Sequence, residues 1–290
     1  MGMRLAIGVL WLLHFLPQDL LNGIARLLAP LVRASGAART AQINLKLCFP
    51  DLASGPRRQL ERRYFGAVVR SFLELGTVWF ASARRIRQLV HFDGLHNYEA
   101  VAEGPVIFLA MHSVGLEMAG ARLGMAFRGV GFFTPHKNPV LDGVIRAARD
   151  RLGDVLMLDR REGLRPMVRA IRDGRRLYFL PDMDFGDRDS LFVPFFGIPA
   201  ATVTTLPRLV ALTRARVVPV EVTQQPGSAG YRITFLPAWE DFPGPELAHD
   251  VLRMNTFVEQ FARAHPDQYF WGHKRFRTRP TPEERSPYYR

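Results

Sequence analysis

The sequence predicts an α/β fold built on a mostly parallel central sheet flanked by helices, preceded by an apolar helical segment. Three observations carry that expectation. Short apolar runs recur at Val106–Met111, Val130–Phe133, Val155–Leu158, Leu177–Leu180, Val217–Val222 and Tyr231–Leu236. Helical stretches lie between most of them, at Leu116–Phe127, Pro139–Leu152, Leu164–Arg172 and Val203–Thr213. The runs are continuously apolar, as expected of strands covered on both faces. A last helix, Glu246–Ala264, precedes a basic tail. With no internal repeat or low-complexity linker, the chain divides into a segment 1–34 and a body 35–290.

Within the first segment, Leu5–Leu16 is apolar except for His14, and Pro17, Gln18 and Asp19 interrupt it. Such a run is too short to cross a bilayer, which takes roughly 20 residues. LPQDLL offers no small-residue cleavage site, so a secretory signal peptide does not fit. A second apolar stretch, Leu20–Val32, contains Asn22 and Arg26. Together the two read as a membrane-embedded hairpin or an interfacial anchor, with Arg4, Arg26, Arg33 and Arg39 available to lipid headgroups. Next, Pro56–Arg85 reads as one long helix. Leu60, Tyr64, Phe65, Val68, Phe72, Leu75 and Trp79 share its apolar face, and Pro56 suits its first turn.

Composition narrows the partners. Of 290 residues, 39 are basic and 27 acidic, a net charge of +12 that suits an anionic membrane, a phosphorylated ligand or an acidic protein. Nucleic acid is a further possibility on charge, but no helix-turn-helix or RNP-like module is present. The single cysteine, Cys48, excludes an internal disulfide framework and sits in apolar LKLCFP, a poor setting for a nucleophile.

The strongest local signal is GPVIFLAMHSVGLEMAG. A buried strand ends at His112 and Ser113, Gly115 permits a turn, and a helix starts near Leu116. Ligands of open α/β sheets collect beyond the carboxyl ends of strands, which is where His112 falls. Glu117 lies five residues on. A turn between strand and helix brings its carboxylate to the imidazole, fixing the tautomer and making the other nitrogen a better base. Such a base removes a hydroxyl proton as the oxygen attacks an activated carbonyl. Ser113 lacks the G-x-S-x-G elbow of a nucleophilic serine.

HSVGLE resembles the H-x4-(D/E) motif of the glycerolipid acyltransferases. Further blocks are similar to the bacterial lipid A late acyltransferases: NLKLCFPDL and a following helix with Glu74, KNPVLD, LPDMDFG, LFVPFFGIPAATVTTLPRLVALTRARVVPV and QYFWGHKRFRTRP. The resemblance runs over essentially the whole chain. It implies an enzyme at the cytoplasmic face of the inner membrane, transferring an acyl chain from acyl-carrier protein to a hydroxyl of a lipid A precursor, without cofactor or metal. His112 and Glu117 match the catalytic pair; Arg149 and Asp182 fall at further functional polar positions, with Arg151 a competing alignment for Arg149. One departure is visible, Phe133-Thr134-Pro135 where a Tyr-Arg-Pro segment is frequent. Another lipid acceptor, a lysophospholipid or aminolipid, fits the same motif.

Two segments carry further expectations. Asp182 and Asp184 follow a strand as in DxD phosphatases that bind Mg²⁺, though Gly186 stands where that motif has Thr or Val. Asp182 as an ion-pair or hydrogen-bond partner within the site is preferred, with Asp184 capping a turn. LFVPFFG reads as part core and part acyl-channel wall. The basic cluster from His273 to Arg279, anchored by interleaved aromatics, reads as a dock for a headgroup or the carrier.

Overall fold

The computed structural model describes residues 2–133, 136–281 and 288–289. Its strands are β1 (Val90–Asp93), β2 (Val106–Leu109), β3 (Gly129–Phe133), β4 (Val155–Asp159), β5 (Arg176–Phe179), β6 (Ser190–Phe195), β7 (Ile198–Val203), β8 (Arg216–Gln224) and β9 (Tyr231–Phe235). Helices α1 (Gly2–Leu13), α2 (Gln18–Ala34), α3 (Arg39–Cys48), α4 (Ser54–Leu73), α5 (Leu75–Phe80) and α6 (Ala83–Leu89) precede the sheet. Helices α7 (Leu95–Glu99), α8 (Leu116–Ala126), α9 (Pro139–Leu152), α10 (Arg165–Arg172), α11 (Thr205–Thr213) and α12 (Leu247–Ala264) surround it.

Seven strands form one sheet in the order β1-β9-β8-β2-β5-β3-β4. Every neighbouring pair is parallel except β8 and β9, joined as an antiparallel hairpin. Strand β2 lies between β8 and β5 and is buried along its whole length. Its side chains alternate between two cores. Ile107 and Leu109 join the core beneath α3, α4, α10, α11 and α12. Val106 and Phe108 join the core beneath α5, α6, α8 and α9. Each such side chain contributes about 1.5–3 kcal/mol of burial, which explains the unbroken apolar run.

Two local expectations need correction. The long helix breaks twice. Glu74 turns its side chain inward at the end of α4, and Ser82 starts a new helix by accepting the Arg85 N–H on its hydroxyl at 3.3 Å. LFVPFFG forms the separate antiparallel pair β6–β7. Its Val193 and Phe195 are buried in the core, as expected of its core part, and α12 lies against β6. Strand β1, too short and too polar to register in the apolar pattern, extends the sheet beside β9.

The N-terminal helices dock on the body. Helix α2 lies along α4, and α1 crosses α5 where Gly76 lets the Leu10 backbone approach; a β-carbon there would collide with the Leu10 carbonyl. Among the described residues no helix is long and apolar enough to cross a membrane. Helix α2 is turned inside out for a soluble helix. Its buried face carries Gln18, Asn22, Ala25 and Ala29 as well as Leu21, while Leu20, Leu27 and Leu31 are exposed. Leu5, Leu12 and Phe15 extend the same kind of exposed apolar surface onto α1 and its end.

Candidate active site

Sheet register builds the site. Leu109 of β2 pairs with Phe179 of β5, and the Ala110 N–H continues the ladder to the Phe179 carbonyl at 2.9 Å. Three residues beyond that pair on each strand stand His112 and Asp182. Adjacent parallel strands therefore deliver both residues to the same end of the sheet. His112 Nδ1 donates to Asp182 Oδ1 at 2.8 Å, and the His112 backbone N–H donates to Oδ2 at 3.0 Å. Both carboxylate oxygens are thus tied to one residue. Asp182 has no exposed surface, whereas the His112 side chain keeps 20% of its own and lines a cavity.

The electrostatics follow from that arrangement. Burial works against a charged imidazole, but the Asp182 carboxylate outweighs it and raises the His112 pKa, with a smaller push from Glu117. Burial likewise works against the Asp182 carboxylate, yet His112 holds its pKa below the usual range. With Nδ1 carrying the proton toward Asp182, Nε2 is the ring's basic nitrogen.

The orienting contact expected of Glu117 is made instead by Asp182. Glu117 opens α8 as an exposed first-turn residue, and no hydrogen bond joins it to His112 among the described residues. Its place in the helix explains why: the turn 112–115 sets the carboxylate at the cavity mouth. Arg149, from α9, lines the same cavity as His112 and Glu117. Arg151 does not. Its guanidinium donates to the Ala81 carbonyl at 2.6 Å and to the Val78 carbonyl at 3.2 Å, capping the end of α5.

Two cavities meet here. One of about 340 Å³ is lined by His112, Glu117, Arg149, Glu74, Tyr231 and Phe72 among others. A second of about 300 Å³ lies between α8, α9 and the sheet, walled by Phe108, Leu123, Phe127, Val130, Ile145 and Met157. Val78, Trp79, Leu116, Glu117, Ile145 and Arg149 belong to both walls. The shared wall is mostly apolar, with Glu117 and Arg149 as its charged members.

Other polar residues of the tail serve the structure. Asp184 is not a partner of Asp182: it accepts from the Thr278 N–H at 2.6 Å, Thr278 Oγ1 at 2.8 Å and the Gly186 N–H at 2.9 Å. The two aspartates are committed to separate partners, and no group of three potential metal ligands occurs among the described residues. Arg275, only 1% exposed, donates through its two terminal nitrogens to the Ala201 carbonyl, Thr202 Oγ1 and Asn255 Oδ1. His273 is half-buried, and desolvation pushes its pKa down to about 4. Of the basic cluster, Arg275 and Arg279 are thus set inside, while Lys274 and Arg277 stay exposed. The segment forms the back wall of the site, where the Phe270 N–H donates to the His112 carbonyl and the Val114 N–H to the Gln268 carbonyl, both at 2.9 Å. Cys48 is buried and burial raises its pKa further. Thr134 and Pro135 of the variant Phe133-Thr134-Pro135 segment lie outside the described residues.

Comparison with known proteins decides the family. The model of the bacterial lipid A biosynthesis acyltransferases matches residues 1–278. The chain belongs to that family. The lipid A biosynthesis lauroyltransferase of Escherichia coli (strain K12) is 32% identical over 95% of this chain and 91% of its own length. The palmitoleoyltransferase of the same organism is 29% identical over 96% and 91%, and the myristoyltransferase 32% over 87% and 78%. A solved 1-acyl-sn-glycerophosphate acyltransferase from Thermotoga maritima overlays with a TM-score of 0.39 at 13% identity, over 85% of this chain and 96% of that one.

For this acyltransferase the His112–Asp182 pair makes a direct prediction. General-base action by His112 would need the unprotonated imidazole, whose pKa lies above the ordinary value of about 6.5. The acid limb of kcat/KM is therefore expected above that pH. Asp182→Asn removes the anion, so the limb should move to lower pH while kcat falls on the order of 10²–10⁴-fold. A pH–rate profile of the purified variant checks both, and a fully active Asp182→Asn contradicts the assignment.

Proposed function

We propose that the chain catalyses secondary acylation of a lipid A precursor, with acyl-carrier protein as thioester donor and His112 as general base. The pairing of His112 with a buried carboxylate at a cavity mouth carries this reading. Nε2 takes the proton of the acceptor hydroxyl as that oxygen attacks the thioester carbonyl. The tetrahedral intermediate then collapses: the C–S bond breaks, the ester C–O bond is complete, and His112 returns the proton to the leaving thiolate. Asp182 holds the imidazole in the productive tautomer and stabilises it when charged. Glu117 and Arg149 stand on the shared wall, where Glu117 adds negative potential beside the imidazolium and Arg149 offers a planar fork to a phosphate of donor or acceptor.

Cavity size supports a division of labour. Each space sits at the low end for ligand pockets, roughly 300–1,000 Å³, enough for a chain and not for a whole multi-acylated glycolipid. The apolar chamber takes the transferred acyl chain, and only the acceptor's reacting hydroxyl reaches His112. The rest of the acceptor stays outside. Phe72 lines the catalytic cavity and is itself exposed, and the outward leucines of α2 continue that apolar surface. We assign this face to the bilayer, as an interfacial attachment at the cytoplasmic side of the inner membrane, with the +12 charge favouring anionic lipid and an acidic carrier alike.

Two experiments test the reading. Mass spectrometry of membrane lipids should show one acyl chain fewer on lipid A when the gene is deleted. The wild-type gene should restore that mass and His112→Ala should not; an unchanged lipid A profile on deletion contradicts the assignment. The second concerns the chamber. A β-carbon on Gly120 would meet nothing within 4 Å, and Gly120 lines the apolar space. Gly120→Met keeps a good helix former in α8 and fills the chamber, so the preferred acyl donor should become shorter. Competition between acyl-carrier thioesters of different length measures this, and an unchanged preference removes that chamber from the acyl path.

A further inference from the structure

Residues 112–115 connect β2 to α8 and carry the catalytic imidazole, so their exact placement sets the reaction geometry. Backbone bonds to Gln268 and Phe270 hold one side of this turn. The other side is held by contact. A β-carbon on Gly115 would stand 2.6 Å from Val222 Cγ1 and 3.1 Å from Tyr231 Cδ1, so the turn's backbone lies directly on these side chains. Tyr231 cannot shift freely. Its hydroxyl donates to Glu74 Oε2 and accepts from Gln224 Nε2 at 3.0 Å. Glu74 Oε1 in turn accepts from Arg70 Nε at 3.0 Å, and Arg70 reaches the Gln225 and Gly230 carbonyls at 3.0 and 3.4 Å.

The same network reaches the first side. The Gln224 N–H donates to Gln268 Oε1 at 2.6 Å, and Gln268 Nε2 donates back to the Gln224 carbonyl at 3.2 Å. Both supports of the catalytic turn therefore converge on the end of β8 and the start of β9. Glu74 is 1% exposed, and burying such an ion pair costs more than apolar packing of the same volume. A fully satisfied buried network nevertheless fixes one geometry, as a greasy contact does not. Glu74 and Tyr231 also line the cavity that holds His112 and Glu117.

We infer that Tyr231, held by the Glu74–Arg70 pair and by Gln224, is a positioning residue that sets His112 for the acyl-transfer step. This rests on His112 being the general base. Tyr231→Phe removes only the hydroxyl bonded to Glu74 and Gln224 and keeps the ring that packs under Gly115. In the purified full chain, kcat is expected to fall about 10- to 100-fold, with KM for the acyl-carrier thioester unchanged within about two-fold. The acid limb of the pH profile should move down as the His112–Asp182 bond slackens. Glu74→Gln, which keeps shape and one acceptor oxygen, should retain more activity than Glu74→Ala at equal folded fraction. A merely structural role would lower the melting midpoint and leave kcat per folded molecule and the acid limb untouched; that result overturns the inference. If Tyr231→Phe does not fold, the same two readouts on Glu74→Gln decide: a kcat and acid limb at wild-type values overturn the inference. Activity persisting in His112→Ala would instead overturn the underlying mechanism, so the two failures are separable.

Discussion

A carboxylate with no exposed surface, holding the His112 ring through one oxygen and the His112 backbone through the other, is the interaction around which the rest of this molecule is arranged. Asp182 accepts from the His112 ring and from the His112 backbone, so a single residue fixes where the base stands and which nitrogen is basic. Burying that acid is costly unless its partner stays in place. Much of the surrounding structure serves to keep it there. Parallel pairing of β2 with β5 sets the distance, the segment around Gln268–Phe270 closes the back, and the Tyr231–Glu74 network lies under the turn. The site is rigid on three sides and open on the fourth.

The open side explains the two chambers. One meets the base, the other is an apolar slot beneath α8 and α9, and Glu117 and Arg149 stand where they join. An enzyme that joins a chain to a large lipid needs only the two reacting ends inside. Burial of the base lowers its pKa while the Asp182 carboxylate raises it by more, so the pH at which the base is free depends on that pairing. Helix α2 leaves Leu20, Leu27 and Leu31 exposed, and Phe72 at the cavity is exposed as well.

Much of this was legible in the residues. Strand β2 announced itself as an unbroken apolar run because both of its faces are covered, and His112 at its end followed from the rule for open sheets. Asp182 was visible as a site residue, but its link to His112 depends on β2 and β5 being neighbours. Strand order is a long-range property that local periodicity does not encode. Glu117 drew attention by its closeness in sequence, yet a turn of three residues sets it at the mouth and off the ring. Arg151 and Arg149, two residues apart on α9, face different ways, and only packing against α5 separates the cap from the site residue. The break at Glu74 was hidden because α4 and α5 continue one apolar pattern, while the partner that receives its inward carboxylate, Tyr231, lies on β9. The basic tail is mixed for a similar cause: charge counts do not distinguish an exposed arginine such as Arg277 from one, like Arg275, that is buried among backbone and side-chain acceptors.

The claim that Asp182 dictates the state of His112 is tested most directly by the ring nitrogens themselves. In ¹⁵N-labelled protein above the His112 pKa, the account requires a protonated Nδ1 and an unprotonated Nε2, with Nδ1–H bonded to a carboxylate. Asp182→Asn should abolish that preference. A neutral His112 that carries its proton on Nε2, or whose resonances ignore Asp182→Asn and answer to Glu117→Gln, would contradict it.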